Sequence, residues 1–122
     1  MLTSARVDIK ITDNATFQDA FQFGTTGDTS WSLTGQLFKM EVKASRDDIS
    51  PLITFTSGAG QIVVDSTVLR VLHMNVSDIT IQNSLPPADY VYDFVMYDTS
   101  VPPIRTVLMH GALMVRRGVS ED

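Results

Sequence analysis

The fold is decided by the stretch Leu37-Phe38-Lys39-Met40-Glu41-Val42-Lys43, in which apolar and charged side chains alternate from Phe38 onward. In an extended strand, successive side chains point to opposite faces. Phe38, Met40 and Val42 therefore share one face, and the three charged side chains share the other. This alternation predicts a strand that has one face in a protein core and one face in water.

Other parts of the chain have the same strand-forming character. In residues 6–11 the apolar side chains fall on alternate positions, and in residues 17–23 three phenylalanines do so. β-branched and aromatic residues, which fit a pleated and half-buried surface, are frequent in the remaining candidate strands, which are residues 52–55, 61–64, 68–76, 90–97 and 104–116. No long segment has the 3.6-residue period of a helix.

Turn-forming residues separate these strands. Residues 24–28 are predicted to form a loop, and Ser57-Gly58-Ala59-Gly60 is predicted to connect two strands of a hairpin. Residues 98–103 end in two prolines and cannot form a central strand. Residues 77–83 begin with helix-capping side chains and predict one helical turn.

This spacing of strands and turns predicts an all-β fold. We expect one domain over residues 1–122, an antiparallel, immunoglobulin-like β-sandwich of seven or eight strands with at most one short helical turn. Residues 1–5 and 118–122 are expected to be frayed ends.

Composition restricts the function. The chain has 122 residues, of which 43% are hydrophobic and 19% are charged, so it is not of the disordered class. It has no cysteine and therefore no disulfide, thiolate metal site or cysteine nucleophile. The net charge of −5 argues against a nucleic-acid partner. We expect no membrane span and no signal peptide, because no apolar run is long enough.

The residue types used in catalysis and metal binding do not form a motif. The two histidines, His73 and His110, lie in separate predicted strands, and zinc would need at least one further ligand. Asp47-Asp48 is an adjacent pair, which is expected on a solvated turn rather than in an acid–base site. Gly58-Ala59-Gly60 lacks the lysine of a phosphate-binding loop. We therefore predict no cofactor, no metal and no enzymatic activity.

Three other residues are candidates for a role in structure or binding. Trp31, the single tryptophan, is a candidate interface or ligand contact, although a lone tryptophan in a sandwich is more often a core or edge anchor. Asp93 and its neighbour Tyr92 are candidates for a structural pin. Asp93 either faces outward or is buried and paired, with Arg70 or Arg105 as the candidate side-chain partner or the backbone of a turn in their place.

Four short patterns occur in order along the chain and together carry a resemblance. They are Leu33-Thr34-Gly35 before the strand 36–43, Gly60-Gln61-Ile62, Tyr90-Val91-Tyr92-Asp93, and residues 107–115 with His110-Gly111-Ala112 at their centre. Over about residues 17–117 the chain resembles small β-sandwich proteins found among the tail and baseplate genes of bacteriophages and prophages. It is also similar in pattern to the N-terminal domain of phage baseplate upper proteins. It departs from that pattern at Ser32, where aspartate is usual, and at Asp89, where glycine is usual.

The resemblance implies a non-enzymatic structural protein of the virion, in the tail or baseplate, that is made in the bacterial cytoplasm. Its implied partners are other tail or baseplate proteins and further copies of itself, with no nucleic acid and no membrane. The alternative is an immunoglobulin-like binding module that recognises a cell-surface glycan or protein through Trp31 and aromatic residues of its loops.

Overall fold

The computed structural model describes residues 5–23, 33–67 and 70–118. These residues form nine strands and one helix: β1 Ala5–Arg6, β2 Ile9–Thr12, β3 Phe17–Gln22, β4 Leu37–Lys43, β5 Ile53–Thr56, β6 Ile62–Ser66, β7 Val71–Val76, α1 Asp78–Ser84, β8 Ala88–Tyr97 and β9 Arg105–Arg116. A strand therefore forms in each candidate segment, although residues 6–11 contribute to two short strands and the strand predicted over 68–76 is described from Val71, with residues 68 and 69 outside the described part.

The strands make two sheets that pack face to face. In the large sheet the order is β1-β9-β8-β4-β5, with β2 also on the free side of β9, and in the small sheet it is β3-β7-β6. This division of the strands is that of an immunoglobulin-like sandwich. The predicted fold class is confirmed.

One edge of the large sheet differs from the prediction of a purely antiparallel fold. β1 and β2 both pair with β9 in the parallel direction, from Ala5 opposite Met109 to Thr12 opposite Arg116. Two parallel strands need a crossover connection between them. Here the connection consists of all the elements from β3 to β8. The edge strand is interrupted at Val7 and Asp8, which is why nine strands are present where seven or eight were expected.

The core lies between the two sheets. Phe38, Met40 and Val42 of β4 are at most 1% exposed, as their alternation predicts. The ring of Phe94 is at the centre of this layer, with its centroid 5.8 Å from that of Phe23 and 6.5 Å from that of Phe38. Aromatic pairs at these separations add to the stabilisation from burial.

The turn at residues 57–60 is present, but the predicted hairpin is wrong. β5 pairs with β4 in the large sheet, and β6 pairs with β7 in the small sheet. The turn therefore carries the chain from one sheet to the other. Local sequence predicts a turn but cannot report which sheet the next strand joins.

The predicted helical turn is α1, which connects β7 to β8. Ser77 is its N-cap and its hydroxyl accepts a hydrogen bond from the backbone N–H of Thr80 at 3.2 Å. Ile81 is fully buried and anchors the helix on the core. No helix in the described part of the chain is long and apolar enough to cross a membrane.

Of the ends expected to fray, residues 1–4 and 119–122 lie outside the described residues. Ala5 belongs to β1. The backbone N–H of Gly118 donates to the Asp13 carboxylate at 2.7 Å.

Candidate functional site

The two histidines lie on different sheets. His73 is on β7, and its Nδ1 lies 2.7 Å from an Asp65 carboxylate oxygen on the neighbouring strand β6. His110 is on β9, opposite Asp93 of β8. Within residues 5–23, 33–67 and 70–118 no three His, Asp or Glu side chains come together as a metal site would require.

The aspartate pair in the 44–52 loop forms a turn, as the sequence predicts. The Asp48 carboxylate accepts a hydrogen bond from the backbone N–H of Ser45 at 3.2 Å, and the Ser45 hydroxyl accepts one from the N–H of Asp47 at 3.3 Å. Both aspartates are exposed. The Asp48 carboxylate and the Asp47 backbone N–H therefore stabilise the turn locally.

Tyr92 joins β8 to the interrupted edge strand. Its side chain is buried, and its hydroxyl donates a hydrogen bond to the carbonyl oxygen of Val7 at 2.6 Å. Beside this contact the Asp8 carboxylate accepts from the backbone N–H of Ala112 at 3.0 Å. Burial, with a further contribution from the Asp8 charge, raises the pKa of Tyr92 above its ordinary value.

Gly111 makes this close approach of the edge strand possible. A Cβ atom at this position would lie 2.2 Å from the carbonyl oxygen of Val7 and 2.9 Å from an Asp8 carboxylate oxygen. The sequence analysis assigned no role to Gly111 beyond the pattern His110-Gly111-Ala112. A glycine in the middle of a strand often marks a close backbone approach, and this signal could have identified it.

Tyr90 forms a second contact that the sequence analysis missed. Its hydroxyl donates to the carbonyl oxygen of Pro86, four residues earlier in the chain. A tyrosine at the start of this strand that bonds back to the preceding connection is the tyrosine corner of immunoglobulin-like domains. Burial raises the pKa of Tyr90. The position of Tyr90 just after Pro86-Pro87, at the start of a predicted strand, was the available signal.

Asp93 is half-buried on the outer face of the large sheet, which we define as the side away from the small sheet. It lies directly opposite Glu41 of β4 and His110 of β9. Arg105, one of its two candidate side-chain partners, instead pairs with Glu41 at 2.6 Å. In the described part of the chain the Asp93 carboxylate has no hydrogen bond and no ion pair.

A small polar cleft lies beside Asp93 on this outer face. It has a volume of about 60 Å³, and its lining side chains carry both signs of charge: Glu41, Asp93, Lys43 and Arg46, with Val91 and Tyr92 between them. Neither Lys43 nor Arg46 belongs to any of the four ion pairs found among the described residues. The cleft thus carries unpaired charge of both signs in a space too small for most ligands.

The loop of residues 98–104 connects β8 to β9 and is held in shape by Asp98. The Asp98 carboxylate accepts hydrogen bonds from the backbone N–H groups of Ile104 at 2.9 Å and Ser100 at 3.1 Å. The bond from Ile104, more than that from Ser100, lowers the pKa of Asp98. Two apolar side chains of the loop point into solvent: Val101 is 98% exposed and Ile104 is 68% exposed.

Trp31, the predicted interface or ligand contact, lies outside the described residues. A further open cleft, of about 230 Å³, lies between β2 and β3 and includes Lys10, Phe17 and Asp19.

Comparison of the chain with protein-family models and with curated proteins finds no match. The fold and the residues described above are therefore the basis for a functional proposal. Among the described residues, exposed apolar side chains lie in the 98–104 loop (Val101 and Ile104), in the 44–52 loop (Ile49 and Leu52) and on α1 (Ile79), and the charged cleft lies on the outer face of the large sheet.

Proposed function

We propose that this chain is a non-enzymatic structural protein of a phage or prophage virion, a tail or baseplate component that acts through protein–protein interfaces. The observation that carries the proposal is the exposure of Val101 and Ile104 at 98% and 68% on a loop that is held by Asp98. The sequence resemblance to tail and baseplate proteins supplies the biological setting.

Exposed apolar side chains on an ordered loop favour a protein partner. Apolar groups that cluster on a surface mark interaction sites, and a loop that is already fixed loses little conformational entropy when it binds. The loop contains two prolines, Pro102 and Pro103, which restrict its backbone further. Among the described residues no further strand pairs with the outer edge of β5 or of β6, and a neighbouring strand could add there.

The experiment compares virion incorporation of matched variants. Particles are purified by density gradient from an induced or infected host and labelled with a gold-conjugated antibody to this chain for electron microscopy. Label at one end of the tail is expected for the natural chain. Val101→Asp with Ile104→Asp is expected to lower the label on particles at least tenfold.

The control is Ile79→Asp, which places one aspartate charge on α1, where the loop variant adds two to the loop. Ile79 is 63% exposed, and α1 lies at the opposite end of the sandwich from the 98–104 loop, because β8 runs from one to the other. If the loop variant labels particles as strongly as the natural chain does, the loop has no role in incorporation into the virion. A natural chain found only in the soluble fraction would overturn the structural proposal.

A second function is favoured by the position of the same loop. Leu37, at the start of β4, pairs with Tyr97 at the end of β8, so the 98–104 loop and the chain that enters β4 lie at one end of the sandwich. Trp31, the contact that this alternative names, lies outside the described residues. An immunoglobulin-like module could bind a cell-surface glycan or protein at that end of the sandwich. Glycan-array binding that is lost in Trp31→Ala would support this function, and an array without any signal would count against it.

A further inference from the structure

The outer face of the large sheet carries charges that the described part of the chain leaves unpaired. Asp93 lies directly opposite Glu41, and like charges in directly opposed positions destabilise a sheet. Arg105 compensates Glu41 through a contact of 2.6 Å. The Asp93 carboxylate has no such contact among the described residues, although it is half-buried.

The cations next to this pair are also unpaired. Lys43 lies two residues beyond Glu41 on β4, on the same face, and Arg46 follows in the 44–52 loop. Both line the cleft that contains Asp93 and Glu41. Along the direction of the strands, an anionic row (Glu41 and Asp93) is therefore followed at once by a cationic pair (Lys43 and Arg46).

This order of charges is self-complementary. Consider a two-fold axis that lies in the plane of an interface on this face and runs perpendicular to the strands. The axis passes between the anionic row and the cationic pair. The rotation places the cationic pair of one copy on the anionic row of the other, and the reverse contact forms at the same time. Such reciprocity is the property that an isologous interface requires.

We propose that the outer face of the large sheet is a homodimer interface in which Arg46 and Lys43 of one copy pair with Asp93 and Glu41 of a second copy. Charge complementarity identifies the partner as a second copy of the chain, because one rotation pairs the cations and the anions of both copies without any other molecule. Val91 lies between the charges and provides apolar contact in the centre of the interface. This inference does not depend on the virion function.

The small sheet has no comparable surface. On its outer face the charged residues Asp65 and His73 already contact each other at 2.7 Å, and their strand neighbours on that face are Val63 and Ala20. A second copy would find no unpaired charge of either sign there among the described residues. The large sheet is therefore the face that the charges favour.

The test measures dimerisation of the full chain by sedimentation equilibrium at low salt. The natural chain is expected to dimerise, with a dissociation constant that rises as salt is added because salt screens the charge pairs. Asp93→Arg and, separately, Arg46→Asp place like charges opposite each other twice in the dimer. Each is expected to raise the dissociation constant at least ~10-fold.

The double variant Asp93→Arg with Arg46→Asp exchanges the two signs and is expected to restore the dimer. Arg46 is exposed on a turn, so Arg46→Asp gives a valid result even if Asp93→Arg proves poorly folded, and thermal melts of every variant check this. The control, Asp65→Arg on the small sheet, is expected to leave the dissociation constant unchanged.

Three results would overturn the proposal. The first is a natural chain that remains monomeric up to about 1 mM. The second is a dimer that Arg46→Asp does not weaken, and the third is a dimer that Asp65→Arg weakens instead. Incorporation of the chain into virions is measured separately, so failure of that function and failure of this interface give different results.

Discussion

The two sheets of the sandwich share one core but are held together differently. In the large sheet, side chains reach across strands to backbone groups: Tyr92 donates to the carbonyl of Val7 at 2.6 Å, and Asp8 accepts from Ala112 at 3.0 Å. In the small sheet, the exposed side chains of Asp65 on β6 and His73 on β7 contact each other across the two strands. The edge of the large sheet is therefore held by side-chain bonds to backbone groups, one of them from the buried side chain of Tyr92, whereas the contact between Asp65 and His73 joins two exposed side chains.

This difference matches the surfaces that the two sheets present. A binding face must be held in one geometry, because ordering it on binding would weaken the interaction. The large sheet carries unpaired charge on its outer face, whereas on the outer face of the small sheet the described charged residues, Asp65 and His73, already contact each other. We call the large sheet the platform and the small sheet its cover. The following changes test whether the two sheets differ in this way.

The largest effect is expected in the core of the large sheet. Phe94 on β8 is fully buried. Phe94→Ala is expected to lower the free energy of unfolding by about 3–5 kcal/mol, because the burial of the ring is lost and a cavity is left in its place. Phe21 on β3 is only partly buried, and Phe21→Ala is expected to cost about 1–2 kcal/mol. Urea unfolding measures both values.

The control for this pair is Val101→Ala, since Val101 is 98% exposed and its removal is expected to leave the urea midpoint unchanged. Equal losses for Phe94→Ala and Phe21→Ala would mean that the two sheets contribute equally to the core. That result would remove the distinction between platform and cover.

The next effect concerns the edge of the large sheet. Gly111→Ala places a Cβ atom 2.2 Å from the Val7 carbonyl oxygen, so β1 and β2 must shift away from β9. We expect a loss of about 1–3 kcal/mol, as for other overpacked sites, and faster amide hydrogen exchange confined to residues 5–12. Gly58→Ala is the matched control, because a Cβ there meets nothing within 4 Å. Exchange that is unchanged at residues 5–12 would contradict the close approach.

How much of this the sequence could predict depends on the range of each interaction. The inward faces of β4 and the cap of α1 follow from local periodicity and local hydrogen bonding. The pairing of Glu41 with Arg105 joins residues 64 positions apart, and no spacing rule predicts which strands become neighbours. Only the pairing order of β4, β8 and β9 brings Glu41, Asp93 and Arg105 to one face.

The local sequence also could not decide whether Asp93 faces inward or outward, because both orientations fit the same alternating pattern. Asp93 alternates with Tyr92 and Phe94, which are buried, so it faces outward. From the sequence alone, the register of residues 90–97 could have placed either set inward, because both sets contain apolar residues. A shift of one residue exchanges the two faces of a strand, and only the packing of Tyr90, Tyr92 and Phe94 on the core settles which face is inside.

A smaller effect is expected from the buried hydroxyl of Tyr92. Tyr92→Phe leaves the Val7 carbonyl without this donor and is expected to cost about 0.5–1.5 kcal/mol at pH 7. Because the folded state raises the pKa of Tyr92, the unfolded chain ionises first as pH rises past about 10, and the free energy of unfolding of the natural chain then falls. The variant lacks this decrease, so the difference between the two proteins should shrink above pH 10. Parallel pH curves would contradict the buried contact.

The smallest effects should differ in sign between the two outer faces. Asp65→Asn weakens the hydrogen bond from His73 and is expected to lower the free energy of unfolding by less than about 1 kcal/mol, because exposed pairs contribute little. Asp93→Asn removes a charge that lies directly opposite Glu41 and is expected to raise that free energy by roughly 0.2–1 kcal/mol. Both are measured by urea unfolding at a protein concentration low enough to keep the chain monomeric. Adding salt to 1 M should reduce both differences, since the charges involved are accessible to screening. If Asp93→Asn destabilises the monomer as Asp65→Asn does, Asp93 already has a compensating partner within the chain, and the unpaired charge that distinguishes the large sheet is absent.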